Sequence, residues 1–313
     1  MKTWDLHCDA LSKMIVSPDI GFEDDRRLDV TAKRLKAGGV QLQAFAIYVP
    51  EAWKGKPFEA VLASVDAFEQ RIASRGDVLP VRTKRDLETL TRPGETRIGA
   101  MLTLEGADGL EGNLAYLRIA YSLGVRTLGV TWNVANWAAD GVREPRGGGL
   151  TLAGKRLVAE CDRIGMALDV SHLSVKGFWD IFETSPHAPI ASHSNAKAVC
   201  DHPRNLSNDQ IRALIAANGR IGITFVPYFL RGDGRDATID DVLRHLDHIC
   251  SLGGADHVGF GSDFDGIETW VHGLEHPGGY ERLAERLEKN YTSDQVEGFL
   301  RRNWLSYYQG RLP

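Results

Sequence analysis

Two polar residues, His7 and Asp9, stand two positions apart in the first apolar stretch of the chain, TWDLHCDALSKM (residues 3–14). In an extended strand, residues i and i+2 point to the same side, so these two side chains would converge on one point. An imidazole and a carboxylate that converge can bind a divalent metal ion. The alternative is a strand end whose polar residues face solvent, and this stretch alone does not decide between the two.

Other apolar runs also end in a histidine or an acidic residue. Glu105 ends TRIGAMLTLEG, His172 ends MALDVSH, His193 lies in APIASHS, and Asp263 and Asp265 lie in DHVGFGSDFDG. Three histidines, one Asp and one Glu form the ligand mix of a hydrolytic zinc site. A single tetrahedral zinc ion needs only three protein ligands plus water, so five ligands predict two zinc ions per chain. Glu105 is the predicted bridge, because a carboxylate has two oxygens to share between the ions.

The remaining polar residues near these runs are interpreted as structural. Cys8 lies between two ligands and should point away from the metals by alternation, and Asp265 is expected to order a turn. A lone histidine near a strand end is usually a satisfied structural residue. We therefore place the other seven histidines on helix faces, in loops or at strand starts: His187, His202, His245, His248, His257, His272 and His276.

Eight short apolar runs must position these ligands. They cover residues 3–8, 40–49, 96–106, 125–132, 166–172, 188–194, 219–227 and 256–266. Most lack clean polar alternation, as expected of parallel strands buried on both faces. Helix-like segments separate them, several with capping-box spacing such as Ser207 and Gln210. Eight such units predict a (β/α)8 TIM barrel, an α/β fold, as a single domain over residues 1–313, with its chemistry at the C-terminal ends of the strands.

An open doubly wound sheet is the competing architecture. Its phosphate-binding G-x-G-x-x-G turn is absent after the first strand. The glycine cluster RGGGL (residues 146–150) is interpreted as a flexible lid or turn in a long loop.

The amino-acid composition and net charge indicate which classes of binding partner to expect. The 313 residues are 43% hydrophobic and 25% charged, with a net charge of −5, which gives no reason to expect nucleic acid or an anionic membrane as a partner. No segment is long and apolar enough for a membrane span. Four widely spaced cysteines and no recognisable leader predict reduced thiols and a cytoplasmic location. A homodimer is left open.

Five motifs in order resemble the membrane (renal) dipeptidase family of zinc peptidases, over nearly the full chain. They are DLHCDAL, LTLEGADGL, LDVSHLS, PIASHSNAKAVCDHPRNLSNDQI and HVGFGSDFDGI. The resemblance implies a (β/α)8 barrel with two zinc ions. It implies that His7 and Asp9 bind one ion, that His172 and His193 bind the other, and that Glu105 bridges them.

The same resemblance implies the substrate-facing residues. Arg204, in HPRN, matches the arginine that contacts the substrate, and Asp263 matches the carboxylate that handles the proton. Trp132 stands where mammalian members carry a substrate-binding histidine, and it cannot take up a proton. Trp132, Trp137 and Tyr228 are expected to wall the pocket, and this departure affects the range of substrates.

The resulting hypothesis is a dipeptidase. A hydroxide that bridges the two zinc ions attacks the peptide carbonyl, Asp263 passes the proton to the leaving amine, and Arg204 holds an anionic group. A D-residue at the C-terminal position is within the expected range. The alternatives are another metal-dependent amidohydrolase-type enzyme, such as a lactonase or deaminase, and a non-catalytic binding protein on the same barrel. Lactonase- and deaminase-type barrels typically open with H-x-H, and many bridge their metals through a carboxylated lysine.

Overall fold

Eight parallel strands close into a barrel in the computed structural model, which describes residues 1–313. The pairing runs β2–β1–β9–β8–β7–β6–β5–β4, and a β2–β4 pairing closes the ring. This confirms the predicted (β/α)8 barrel. The strands are β1 (Thr3–Asp5), β2 (Val40–Ile47), β3 (Val78–Pro80), β4 (Ile98–Glu105), β5 (Val125–Gly129), β6 (Ala167–Asp169), β7 (Ile190–Ala191), β8 (Arg220–Ile223) and β9 (Val258–Phe260).

Thirteen α-helices surround the strands. They are α1 (Ala10–Val16), α2 (Ala32–Ala37), α3 (Pro57–Phe68), α4 (Lys84–Leu90), α5 (Leu114–Ser122), α6 (Leu152–Ile164), α7 (Val175–Thr184), α8 (Asn208–Ala216), α9 (Pro227–Leu230), α10 (Ile239–Ser251), α11 (Tyr280–Asn290), α12 (Ser293–Glu297) and α13 (Asn303–Arg311). Short 3-10 turns and two π-helical segments, Glu69–Ala73 and Gly298–Arg302, join some of them. None of the helices combines the length and apolar character needed to cross a lipid bilayer.

The ninth strand, β3, was not predicted. It is three residues long and pairs only with the first residues of β4, from Ile98 to Ala100, before β5 takes over that edge. Its last residue, Pro80, has no amide hydrogen to donate to a ladder. The apolar run that contains it is short and is interrupted by this proline, which argues against a strand.

A small apolar cluster fills the barrel interior. It contains residues of five strands of the barrel wall, β1, β2, β4, β6 and β7. Trp304 and Tyr308 of α13 belong to the same cluster. Tyr308 also shares a hydrogen bond with Thr127 of β5 through their hydroxyl groups, 3.0 Å apart. This apolar filling leaves the C-terminal ends of the strands free for polar side chains.

The glycine-rich segment 146–150 forms a turn that two carboxylates hold in place through hydrogen bonds. The amide of Gly148 donates to Asp140 Oδ2 at 2.7 Å, and the amide of Leu150 donates to Asp180 Oδ2 at 2.7 Å. The segment is therefore a turn rather than a flexible lid, the other interpretation of the sequence.

His245 on α10 is a structural histidine, as expected from the sequence. It is fully buried, its Nδ1 accepts from the Ala196 amide at 3.0 Å, and its Nε2 donates to the Leu230 carbonyl at 3.0 Å. Burial lowers the pKa of this imidazole to about 4, so the neutral form is the folded one at pH 7.

We predict that this histidine makes the fold sensitive to acid. Because the unfolded chain binds the proton near pH 6.5 and the folded chain only near pH 4, stability falls as pH decreases through that window, by about 3 kcal/mol from this group. Urea unfolding of wild type and His245→Gln at pH 7 and pH 4 should show a smaller decrease in the variant. The exposed His272→Gln serves as control, and equal decreases in all three proteins would contradict the assignment.

Candidate metal centre and active site

The predicted ligands meet at one mouth of the barrel. Glu105 is the last residue of β4, and the others follow the ends of β1, β6, β7 and β9 within a few residues. Four of them, Asp9, Glu105, His172 and Asp263, border a cavity of about 270 Å³, whereas His7 and His193 do not line it. Its lining includes Asp9, Glu105, Trp132, His172, Arg204 and Asp263.

Glu105 lies at the centre of the three imidazoles. Its Oε1 is 3.0 Å from Nε2 of His172, 3.6 Å from Nε2 of His193 and 3.8 Å from Nε2 of His7. All four side chains are at least nine-tenths buried. The structure therefore brings the predicted bridging carboxylate within reach of both predicted halves of the site.

Hydrogen bonds fix which nitrogen of each imidazole faces this centre. His172 Nδ1 lies 2.9 Å from Asn133 Oδ1, an acceptor, so Nδ1 carries the proton. His193 Nδ1 lies 2.7 Å from Ser192 Oγ, whose own hydrogen goes to the Asp169 carboxylate, so this Nδ1 also carries a proton. The two Nε2 atoms then present lone pairs, yet they lie only 2.7 Å apart beside Glu105. Three acceptor atoms that converge without a hydrogen between them fit a bound cation.

The surroundings of His7 also fit a bound cation. Its Nε2 is buried without a hydrogen-bond partner. Around it, Asp9 Oδ2 is at 3.5 Å, Asp263 Oδ1 at 3.7 Å and Glu105 Oε1 at 3.8 Å. Burial lowers the pKa of His7, but the carboxylates, Glu105 foremost, raise it to about 10. Two donor groups of metal-site dimensions share this histidine, one with Glu105 and His193 and one with Asp9 and Asp263.

The other titratable groups are shifted mainly by burial. It lowers the pKa of both His172 and His193 well below the usual range, which keeps them neutral. It raises the pKa of Glu105, against the influence of His7 and Arg204. The pKa of Asp263 rises to about 8 for the same reason; His7 opposes the rise, and Asp9 and Glu105 add to it. A metal ion binds neutral imidazoles and ionised carboxylates, so His172 and His193 are already in the binding form, whereas a bound cation would have to keep Glu105 and Asp263 ionised.

The backbone at the site is left-handed at three positions, His172, Asp263 and Asp265, and Gly266 packs closely against two carboxylates. His172 and Asp263 both adopt left-handed conformations, each with φ of 70°, which is uncommon for residues with a side chain. Gly266 must lack a side chain, since a Cβ there would lie 2.3 Å from Asp9 Oδ2 and 2.7 Å from Asp263 Oδ1. The DFDG turn thus allows the two carboxylates to approach each other.

Two buried carboxylates hold neighbouring strand ends together beneath the ligands. Asp5 Oδ1 accepts from the amides of Ser262 at 2.9 Å and His7 at 3.3 Å. Asp169 Oδ1 accepts from the amides of Ser192 at 3.0 Å and Ser171 at 2.9 Å. Each carboxylate therefore fixes the backbone next to one or more ligands, which restricts where the ligand side chains can lie.

Arg204 reaches the same cavity as a buried cation. One Nη2 hydrogen is donated to the His193 carbonyl at 3.2 Å, while Nε has no partner. The guanidinium carbon lies 5.5 Å from the centre of the Phe229 ring. Burial lowers the pKa of Arg204 to about 10, which still leaves it charged at pH 7. An unpaired guanidinium at a cavity is suited to binding a carboxylate.

The predicted aromatic walls lie in different places. Trp132 lines the central cavity, with its ring 6.1 Å from that of His172 and 5.4 Å from that of Tyr48. Tyr228 lies instead on a neighbouring cavity, and Phe229 belongs to both. Trp137 packs against the core, and its indole donates to the Ala107 carbonyl at 2.7 Å.

Sequence reasoning missed three residues around the site. Tyr48 and Phe229 line the cavity, and Asn133 orients His172. Asn133 comes directly after Trp132, in the loop that follows β5, so a search for partners of the predicted ligands on strand-end loops could have found it. Nothing in the sequence distinguishes Tyr48 or Phe229 from ordinary aromatic residues.

Comparison with known proteins agrees with this geometry. The model of the membrane dipeptidase family, peptidase family M19, matches residues 1–308. An uncharacterized protein in the pqqA 5′ region of Klebsiella pneumoniae is 36% identical over 263 residues, covering 80% of this chain and 96% of that protein. Dipeptidase aclJ of Aspergillus oryzae is 32% identical over 277 residues, covering 85% of this chain and 66% of that protein.

Solved structures extend the agreement to the whole fold. A dipeptidase of metallopeptidase family M19, named dipeptidase AC, superposes with a TM-score of 0.91 at 31% identity, covering 99% of this chain and 98% of that one. A metallopeptidase from Rhodobacter sphaeroides, solved with a phosphinate mimic of the dipeptide L-Ala-D-Ala, superposes with a TM-score of 0.89 at 30% identity, covering 100% and 99%. By its sequence, its barrel and its converging donors, the chain belongs to the membrane dipeptidase family of metallopeptidases, peptidase family M19.

Proposed function

We propose that this chain is a binuclear zinc dipeptidase. The observation that carries the proposal is the convergence on Glu105 of three imidazole Nε2 atoms, of which that of His7 is buried without a hydrogen-bond partner. In the proposed arrangement, His7 and Asp9 would hold one ion, His172 and His193 would hold the other, and Glu105 would be shared between them. Bound zinc supplies an activated water for hydrolysis and polarises the carbonyl of the scissile bond.

The protein's own groups would perform the remaining steps. Asp263 Oδ1, next to His7 at the edge of the cavity, takes the proton of the attacking water and returns it to the leaving amine. Arg204 binds the terminal carboxylate of the dipeptide and thereby orients the peptide bond. The buried surroundings keep bulk water away from these charges, which strengthens each interaction.

The substrate class follows from the relatives and the cavity. A family member 30% identical to this chain was solved with a mimic of L-Ala-D-Ala, so we propose that a D-residue is accepted at the C-terminal position. Trp132 lines the central cavity, at the position where mammalian family members carry a substrate-binding histidine. Its indole can donate one hydrogen bond and offers a flat apolar surface, but it cannot exchange a proton with the substrate.

The lactonase and deaminase alternatives have less support. Glu105 occupies the centre of the donor set, and no lysine lines the cavity to serve as a carboxylated bridge. A non-catalytic binding protein is also disfavoured, because every predicted ligand position holds a side chain able to bind metal.

Removing the bridging carboxylate should reduce zinc binding. We expect about two zinc ions per chain in the wild type and at most about one in Glu105→Gln, since a neutral amide has only one good donor atom to share. Elemental analysis of zinc-loaded protein measures this directly. Zinc should also raise the melting temperature of metal-depleted wild type more than that of the variant. Glu51→Gln, on the surface, is the control, and an unchanged zinc content in Glu105→Gln would refute the bridge.

Asp263→Asn should separate metal binding from proton transfer. The amide keeps an oxygen donor close to His7, so about two zinc ions should remain, whereas dipeptide hydrolysis should fall at least about a hundredfold because the amide cannot accept a proton. Zinc analysis and a ninhydrin assay on the same preparations measure both quantities. Full activity in this variant, or in wild type stripped of all metal, would contradict the proposed mechanism.

A panel of dipeptides with varied chirality tests the substrate class. We expect L-Ala-D-Ala to be hydrolysed at least as fast as L-Ala-L-Ala. Chromatography of the products gives the rates. Cleavage of L,L-dipeptides alone would remove the proposed acceptance of a D-residue without affecting the dipeptidase assignment.

A further inference from the structure

A second cavity adjoins the central one. It measures about 440 Å³ and shares the side chains of Val226 and Phe229 with the metal-site cavity. Arg143, His202 and Tyr228 line its other side. A molecule held beside the metal ligands could therefore extend past Phe229 into this space.

Arg143 is held at this cavity without an acidic partner. Its guanidinium forms no hydrogen bond or ion pair with the protein, whereas Arg146 in the same loop binds Asp140 through two hydrogen bonds. The Arg143 backbone is fixed nevertheless, because its amide donates to the Asn133 carbonyl at 2.8 Å. The preceding amide, of Val142, donates to the His172 carbonyl at 2.7 Å. The loop backbone is therefore fixed at Arg143, while the positively charged side chain of this residue has no partner.

The neighbouring charges leave this cavity positive. Asp201, its one acidic wall residue, is exposed and pairs with Lys197 at 3.2 Å. His202 stacks on Phe229 with ring centres 4.4 Å apart, and its Nδ1 accepts from the Arg204 amide at 3.2 Å. Burial lowers the pKa of His202, and Arg143 and Arg204 lower it further, so this imidazole is neutral at pH 7. The guanidinium of Arg143 is left to attract an anion.

We propose that this cavity binds the side chain of the substrate's C-terminal residue and that Arg143 selects an acidic side chain there. The inference rests on the proposed function, in which Arg204 holds the terminal carboxylate. Because Arg204 lies over Phe229, the wall common to both cavities, a residue whose carboxylate meets Arg204 has its side chain directed past Phe229. A carboxylate at the end of a short side chain would then meet Arg143.

Isosteric dipeptides test the charge alone. With zinc-loaded wild type, kcat/KM for alanyl-aspartate should exceed that for alanyl-asparagine by about fivefold or more, for at least one configuration of the second residue. In Arg143→Ala this ratio should approach one, and in Arg143→Glu it should fall below one, with alanyl-lysine now favoured over alanyl-asparagine. Arg212→Ala removes an equal charge from an exposed site on α8 and should leave the wild-type ratio unchanged.

The outcomes separate the two proposals. If no dipeptide is cleaved at all, the proposed function fails. If alanyl-alanine is cleaved but the aspartyl-to-asparaginyl ratio is the same in wild type and Arg143→Ala, only this inference fails. Arg143 has no side-chain partner in the fold, so circular dichroism and melting should match wild type and exclude misfolding as the cause of a changed ratio.

Discussion

Charge concentrated in a buried space is the constraint on which the rest of this structure depends. Three carboxylates, Asp9, Glu105 and Asp263, lie within 3.8 Å of one imidazole nitrogen of His7, and all four side chains are largely shielded from water. Burying such groups without compensation costs several kcal/mol each. A divalent cation would offset that cost and satisfy the lone pairs that face Glu105. The fold and the chemistry therefore rest on the same interaction.

The barrel resists this repulsion through its backbone. Asp5 and Asp169 occupy equivalent positions on β1 and β6, and each accepts amide hydrogens from two strand ends. Each also accepts from a serine hydroxyl, that of Ser262 for Asp5 and that of Ser192 for Asp169. With the backbone fixed in this way, the ligand side chains cannot move apart to relax the charge. The left-handed conformations of His172 and Asp263 indicate strain retained at the site.

The sequence predicted the barrel well because buried parallel strands leave strong apolar runs. It also predicted which residues end those runs, although the reasoning for the first one was only partly correct. Strand β1 ends at Asp5, so His7 and Asp9 converge in the segment beyond the regular strand. The sequence could not predict the role of Phe229 in α9, because this residue becomes a cavity wall only through tertiary contacts. Strand β3 was missed because its short apolar run contains Pro80, a residue that is uncommon inside strands.

The loop after β5 connects the proposed metal site with the second cavity. Its Asn133 side chain orients His172, and the carbonyl of the same residue accepts the amide of Arg143 at the second cavity. Gly141 tightens this arrangement, since a Cβ there would lie 2.2 Å from the Trp132 carbonyl oxygen. Backbone hydrogen bonds hold the loop, so the Arg143 side chain contributes nothing to its conformation. A residue placed in this way can change the charge of the second cavity while the support of His172 stays intact.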